Sequence, residues 1–459
     1  MMKSMTATVA RYQAGAVAII AIVLSITNCC HSYALRVTNK SRIDAAGHRR
    51  RYRTALLGMR HPTRLSYGSQ LVDNDLPPPS VLCMGEILWD SLPSGIYMGG
   101  APSNVAVHLA SLLRQSSSTS TPSPSSIINN HQPTVAIAAC LGNDQLGREA
   151  YRRLSLKGVR TDCIQFHEVW ETGMATATLN ESGDATYEFN TPAAWDGLRW
   201  DDRLKSMMQQ NDNEESSSSS SSSTKVVIMG TIAARLNGEH GSTSSSTLAT
   251  IRNIAREGIS LVLDVNLRSP WYTPESVLGL ARGVDASASA QAQESPPKLA
   301  LLKLNEEELC ILEEWCGLPT YNGNEGLAGS VLRQRMEQLG SCLNAQRICV
   351  TRGKDGAALL CTSNSSSGDD DDNVDGRSIF HENPGYSNIS LANNDCDSVG
   401  AGDAFLAALV SSLFLYNESP ERALERACAL GGYVAGCRGA TPEHGDAPKE
   451  LRQIFSFHG

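Results

Sequence analysis

Residues 80–113 read SVLCMGEILWDSLPSGIYMGGAPSNVAVHLASLL, and their pattern decides the fold. The run SVLCMGEILW is apolar enough for a strand buried on both faces, and it closes on the carboxylate of Asp90. After a stretch of small residues, Pro102 marks the first turn of a helix through SNVAVHLASLL. Outward from here the alternation repeats. TVAIAACLG (134–142) is predicted as a strand and DQLGREAYRRLSLKG (144–158) as a helix. KVVIMG (225–230), SLVLDVN (260–266) and LALLKLN (299–305) are further strands, interleaved with helices STLATIRNIAREG (246–258) and EEELCILEEWCG (306–317). RICVTRG (347–353) and GAALLCT (356–362) are strands, and two apolar helices, 402–416 and 420–437, close the chain. Alternating units of this length imply an α/β fold with a mostly parallel central sheet covered by helices on both faces. One segment departs from the alternation. ETGMATATLNESGDATYEFN (171–190) has period two around a turn, which predicts an antiparallel hairpin near 172–190 that projects as a lid.

The chain has 459 residues, enough for one large α/β domain plus tails, and 41% hydrophobic residues supply its core. A formal net charge of −9, with no basic stripe in the body, argues against nucleic acid as a partner. The 13 cysteines are scattered singly apart from Cys29-Cys30, and no C-x-x-C pair is present. They read as reduced, packed thiols such as Cys349, which suits a reducing compartment. Residues 1–34 have the form of a secretory signal, with Lys3 and Arg11 ahead of the apolar AGAVAIIAIVLSI (14–26), too short to leave a comfortable membrane span. Residues 35–75 read as a transit-peptide-like segment, since nine Arg/Lys face one acid, Asp44, between 35 and 71. The pair resembles the bipartite presequences of algae with secondary plastids; secretion is the alternative. Three low-complexity insertions, near 116–133, 211–224 and 363–376, are too polar to pack and read as disordered surface segments.

The chemistry concentrates where strands hand over to helices. DSVGAGDAF (397–405) places Gly400, Ala401 and Gly402, almost without side chains, at the start of an apolar helix. Backbone N–H groups and the helix dipole there favour an anion, and a migrating phosphoryl group fits that field. Asp403 sits in the first turn, where the same field favours its ionised form, as a base requires. A helix cap with a tight glycine turn is the plainer reading of this motif alone. It does not stand alone. GGAPSNVA brings Gly99, Gly100 and Asn104 to another helix start, and Asp90, Asp264 and Arg268 stand at strand ends, where open α/β sheets bind ligands. Arg268 is suited to clamping phosphate. Asn305 and Glu308 occupy a further junction, and Thr351, Gly353 and Gly356 form a glycine-flanked turn fit for a nucleotide.

In this order the motifs resemble the ribokinase (PfkB-type) carbohydrate kinase family from about residue 80 onward, outside the insertions. GEILWD, GGAPSNVA, GNDQLGREA, DVNLR, LKLNEEE, VTRGKDG, DSVGAGDAF and RGATP carry the likeness. It implies one kinase domain over 76–459, a ribokinase-like three-layer sandwich with a small β lid. It further implies ATP as co-substrate, Asp403 as catalytic base and Gly400, Ala401 and Gly402 as an anion hole. Asp90, Gly99, Gly100 and Asn104 would then contact the sugar, with Arg268 beside them. Asn305, Thr351, Gly353 and Gly356 would meet the nucleotide, and Glu308 would organise Mg²⁺, through water. A monovalent cation such as K⁺ would lie by Asp397, Val399 and Gly439, and a homodimer is a fair expectation. Neither G-x-G-x-x-G nor G-x-x-x-x-G-K-[ST] occurs, so ATP use rests on the family pattern. Fructose is the first expectation for the sugar. Ribose, 2-keto-3-deoxygluconate and nucleosides are alternatives, as is a non-catalytic fructokinase-like scaffold.

Overall fold

Strands of this chain are buried on both faces, and their side chains sort by parity. Val81 and Cys83 of β1 (Val81–Met84) join one core, while Leu82 and Met84 join the other. The same two-residue alternation runs through β4 (Val135–Gly142), β8 (Val226–Gly230), β9 (Ser260–Asp264), β10 (Leu299–Asn305), β11 (Arg347–Thr351) and β12 (Ala357–Cys361). Both faces must therefore be covered, and helices do it. The protein is described from a computed structural model, covering residues 76–92, 95–115, 133–179, 185–208, 224–232, 254, 258–269, 272–282, 299–319, 321, 327–362, 378–386 and 398–457. The signal and transit segments, the three insertions apart from Pro133 and Thr224, and Asp397 lie outside the described residues.

One core is closed by α1 (Ala101–Gln115), α7 (Ala401–Val410), α8 (Pro420–Ala435) and α9 (Lys449–Phe455). The other holds α3 (Asp202–Met208), α4 (Pro274–Arg282), α5 (Glu306–Trp315) and α6 (Gly329–Leu343). The helix α2 (Gln145–Leu156) is capped by Asp144, whose Oδ1 accepts from Gly147 N at 2.7 Å. With β5 (Ile164–His167) and β13 (Ile379–Asn383) the described strands form a nine-stranded sheet, ordered β13-β12-β11-β10-β9-β8-β1-β4-β5. Pairing is parallel from β11 to β5, and β12 and β13 add antiparallel strands at one edge. The chain starts at β1, builds toward β5, then returns to the other side of β1 at β8. That reversal opens a crevice beyond the strand ends, where such sheets hold ligands.

The second sheet corrects the expected single strand over 80–89. β1 ends at Met84, and the chain leaves the central sheet through Gly85, at φ +149°, to re-enter as β2 (Leu88–Leu92) in a separate layer. Continuing β1 would have buried Glu86 and Asp90 in the apolar sandwich, so the turn follows from the charges. There β3 (Gly95–Gly99), β2, β6 (Gly173–Leu179) and β7 (Ala185–Phe189) lie side by side. The expected hairpin is present as β6 and β7, but it is half of this sheet, with β6 running parallel to β2. Leu88, Ala175, Ala193 and Trp195 form its own small core. Strands β3, β5 and β13 and helices α3, α4, α6 and α9 are additions to the expected elements, and α9 rather than the helix over 420–437 is the last helix. Among the described residues no helix is long and apolar enough to cross a membrane.

Candidate active site

Asp403 lies three residues into α7, behind Gly400 at φ +78°. A methyl group on Gly400 would fall 2.6 Å from the backbone of Ala440, so only glycine lets the chain enter this helix so closely. Ala440 is itself held from behind. His108 Nε2 donates to its carbonyl at 2.9 Å, and His108 Nδ1 lies 2.9 Å from His444 Nε2. Both imidazoles are buried and held neutral, with burial lowering them to about 4 and about 3. The Ala401 amide turns back to Ser398 O at 3.3 Å, whereas those of Gly402 and Asp403 have no acceptor within the first turn. The Gly400 amide likewise shows no backbone acceptor among the described residues, so of the expected Gly400–Gly402 set only the Ala401 amide is engaged.

Asn104 Nδ2 donates to Asp403 Oδ2 at 2.8 Å, joining two motifs 299 residues apart. Asp403 keeps a face open to the cleft, yet protein surrounds its carboxyl. Burial pushes it up to about 6 and Asp264 adds to the rise, while Asn104, Lys303 and Arg268 pull it down. The helix terminus was expected to favour the ionised form alone; desolvation outweighs it here. A carboxyl near 6 is still ionised at neutral pH and is basic enough to accept a proton.

Around it lies a cleft of about 920 Å³ at the strand ends. Asp90 reaches it from β2 of the smaller sheet, not from the end of the central strand as expected. Its Oδ2 leaves no room for a side chain at Gly99, where a Cβ would come within 2.1 Å. Burial raises Asp90 to about 6 against the pull of Arg268. Gly100, at φ +100°, packs on the Glu86 carbonyl, 2.5 Å from where its Cβ would be. Arg268 is exposed at the rim and donates to Leu267 O at 3.2 Å.

At the other end, Asn305 caps α5. Its Oδ1 accepts from Glu308 N at 2.9 Å, and Glu308 Oε2 accepts from Asn305 N at 2.9 Å, a reciprocal capping box. Glu308 Oε1 takes Leu267 N at 2.8 Å, so this carboxylate also ties the loop after β9 to α5. Burial and Asp264 hold Glu308 above the usual range, with Lys303 opposing. Thr351, Val399 and Gly439 line the same cleft; Gly353 and Gly356 do not. Gly356, at φ +80°, is required by packing, since a Cβ would fall 1.9 Å from Asn383 O.

Two residues of the cleft were missed by reading the sequence. Lys303 is 7% exposed and donates to Asp264 Oδ1 at 2.8 Å, and its Nζ would be 3.4 Å from a Cβ on Gly402. Burial works against the ammonium, but Asp264, Glu308 and Asp403 keep its pKa above the ordinary lysine value. A lysine inside the apolar run LALLKLN was the signal. The second is Glu86, buried at 3% exposure with Oε1 accepting from Ala101 N at 3.2 Å. Trp89 is packed in the core under Arg153, 4.9 Å from its ring.

An anion cradle, a carboxylate beside it and hydrogen-bonding groups for a polyhydroxy ligand can together bind phosphate and deprotonate an alcohol. The comparisons agree with that chemistry. The model of the pfkB family carbohydrate kinase matches residues 94–242 and 280–444. The chain is 23% identical over 387 residues, 79% of each protein, to a probable chloroplastic fructokinase-6 of Arabidopsis thaliana. In fold it is similar to Arabidopsis thaliana ribokinase complexed with ribose and ATP, at a TM-score of 0.54 and 17% identity over 83% of this chain and 100% of that one. The fructokinase of Xylella fastidiosa with bound ATP gives a TM-score of 0.53 at 19% identity, covering 82% of this chain and 97% of the other. That of Vibrio cholerae O395, bound to fructose, ADP and calcium, gives 0.52 at 20% over 80% and 95%. With most of its length matched by that family model around this cleft, the chain belongs to the pfkB family of carbohydrate kinases.

Proposed function

We propose that the enzyme transfers the γ-phosphoryl group of ATP to a hydroxyl of a neutral hexose, fructose first, with Asp403 as the base. The observation that carries this reading is the 2.8 Å bond from Asn104 to Asp403, which puts a polyol-binding side chain and the base at one point beside the cradle. The sugar hydroxyl would lie between Asp403 and the γ-phosphorus. Positioning and charge neutralisation then supply most of the rate, and Asp403 takes the proton late in transfer. Amides at the start of α7 receive the phosphoryl oxygens, in the cradle formed with Gly400, Ala401 and Gly402. The smaller sheet roofs the sugar and limits hydrolysis by water. Nucleotide would lie over Asn305 and Thr351.

The residues present fit a magnesium ion carried by the nucleotide. No cluster of three or more metal-binding side chains occurs among the described residues, while Asn305 and Glu308 line the cleft. Magnesium is bound in this way by one or two carboxylates together with phosphates and water. It would supply charge neutralisation between the phosphates. Val399 and Gly439, with Asp397, would border a monovalent cation.

An uncharged sugar suits this site better than a sugar acid, because Glu86, Asp90 and Asp403 gather at one end against Arg268. Nucleosides find Tyr97 and Phe189 but not Trp89. The relative of chloroplastic name supports fructose and, with the bipartite N-terminus, a plastid destination. A homodimer remains part of the proposal. An ATP-coupled assay across fructose, glucose, ribose, 2-keto-3-deoxygluconate and adenosine tests it: sugar-dependent ADP release is expected, fastest with fructose. Absence of ADP release with every sugar would favour the scaffold reading.

The acidity of the base sets a pH dependence. Asp403 must be ionised to act, and it protonates as pH falls through about 6. The value of kcat/KM, which reports ionisation in the free enzyme, is expected to be flat above pH 7 and to fall about tenfold per unit below 6. A profile still flat at pH 5 would exclude Asp403 as the base.

A further inference from the structure

Two cleft-lining residues each carry a buried acceptor atom that has no donor among the described residues. Glu86 is 3% exposed; its Oε1 takes the Ala101 amide at 3.2 Å, and its Oε2 has no hydrogen-bond partner among the described residues. Asn104 is 4% exposed; its Nδ2 is given to Asp403, and its Oδ1 is likewise unpartnered. Buried polar atoms are nearly always satisfied, so these two ask for a donor from outside the protein. Arg268 acts on Glu86 through its charge, but its hydrogen bond goes to Leu267 O. The ligand that answers must bring hydroxyl or amine hydrogens. A phosphate or carboxylate group would bring further acceptors into a space already shared by Glu86, Asp90 and Asp403.

We propose that Glu86 is a specificity-determining residue whose Oε2 accepts a hydrogen bond from a second sugar hydroxyl, distinct from the one that Asp403 deprotonates. This rests on the sugar-kinase reading above. The placement follows from the fold. Glu86 occupies the crossing between β1 and β2, directly under the Gly99–Gly100 turn, and its other oxygen fixes the first amide of α1. One carboxylate thus holds the helix that carries Asn104 and presents its free oxygen to the same ligand. A sugar lacking the partner hydroxyl leaves a buried acceptor unanswered, which discriminates more strongly than a missing apolar contact.

The test is a cycle between Glu86→Gln and a series of monodeoxy sugars, with kcat and KM measured for each. Glutamine keeps a carbonyl for Ala101 N but places an NH₂ where Oε2 stood. In the wild type, removing one particular hydroxyl is expected to raise KM by about 10- to 100-fold, the worth of a hydrogen bond to a charged group. In Glu86→Gln that penalty should shrink several-fold at this one carbon and persist at the others, with the KM for ATP unchanged. An equal loss for every analogue would reduce Glu86 to a brace for α1 and overturn the proposal. Glu86→Asp gives the same comparison if Glu86→Gln does not fold. Should the wild type phosphorylate no sugar, the kinase reading fails. Calorimetric binding of the same sugars without ATP then decides Glu86 separately, and a wild type that binds no neutral sugar overturns it.

Discussion

Replacing Asp403 by Asn is expected to lower kcat by about 10²- to 10⁴-fold, the range that a positioned general base supplies, while the sugar still binds. Asparagine is nearly isosteric and can still accept the hydrogen bond that Asn104 gives at 2.8 Å, so the wall of the site should hold its shape. What it loses is the capacity to take a proton. The part of the acid limb near pH 6 that this carboxyl contributes should vanish with it, leaving that of Asp90. Steady-state kinetics and calorimetric binding of the preferred sugar separate the two effects. Turnover near the wild-type rate in this variant would end the assignment, and loss of sugar binding without loss of kcat would move Asp403 from chemistry to recognition.

The second large effect concerns Lys303. Its side chain and that of Asp264 are 8% and 6% exposed, so the pair is held away from water. Removing one partner of a buried pair leaves the other as an uncompensated charge, typically at a cost of about 3–5 kcal/mol. Lys303→Met should therefore lower the denaturant midpoint sharply. The double variant Lys303→Met/Asp264→Leu should recover much of that stability, because neither charge is then stranded. It should not recover activity. In the single variant Asp403 loses a cation that holds its pKa down while the negative charge of Asp264 remains, so the acid limb should move to higher pH. Equal midpoints for wild type and Lys303→Met would show that the pair bears no weight in the fold.

Much of the frame was legible because it depends on local chemistry. Apolar runs ending in small residues and a helix start are short-range signals, and Gly400, Asn104 and Asn305 all stand where such junctions predict. What escaped depends on distance. The single strand expected over 80–89 breaks because Glu86 and Asp90 have no place in a two-faced apolar sheet, a cost that composition over ten residues does not reveal. Helix α6 was hidden because Arg335 reads as a surface residue, yet it is 0% exposed and pairs with Glu313 across 2.7 Å. Its true stripe of Leu332, Met336, Leu339 and Leu343 has ordinary helical spacing once that arginine is counted as buried. The upward shift of Asp403 was out of reach for a related reason. A helix terminus is visible in sequence, whereas the desolvation that outweighs it comes from residues hundreds of positions away.

Asp90 and the wall residues Leu88, Tyr97 and Met98 are mounted on the small sheet, while Asp403 and its amides stand on α7, in the helical layer that covers the large one. In the proposed reading, one part of the recognition surface therefore stands on a frame of its own, while Asn104 and Glu86 stand with the transfer machinery. Exchanging β2 and β3 for those of another family member would retune which sugar is held and leave the phosphate chemistry untouched. Such modularity lets one reaction centre serve many carbohydrates without being rebuilt.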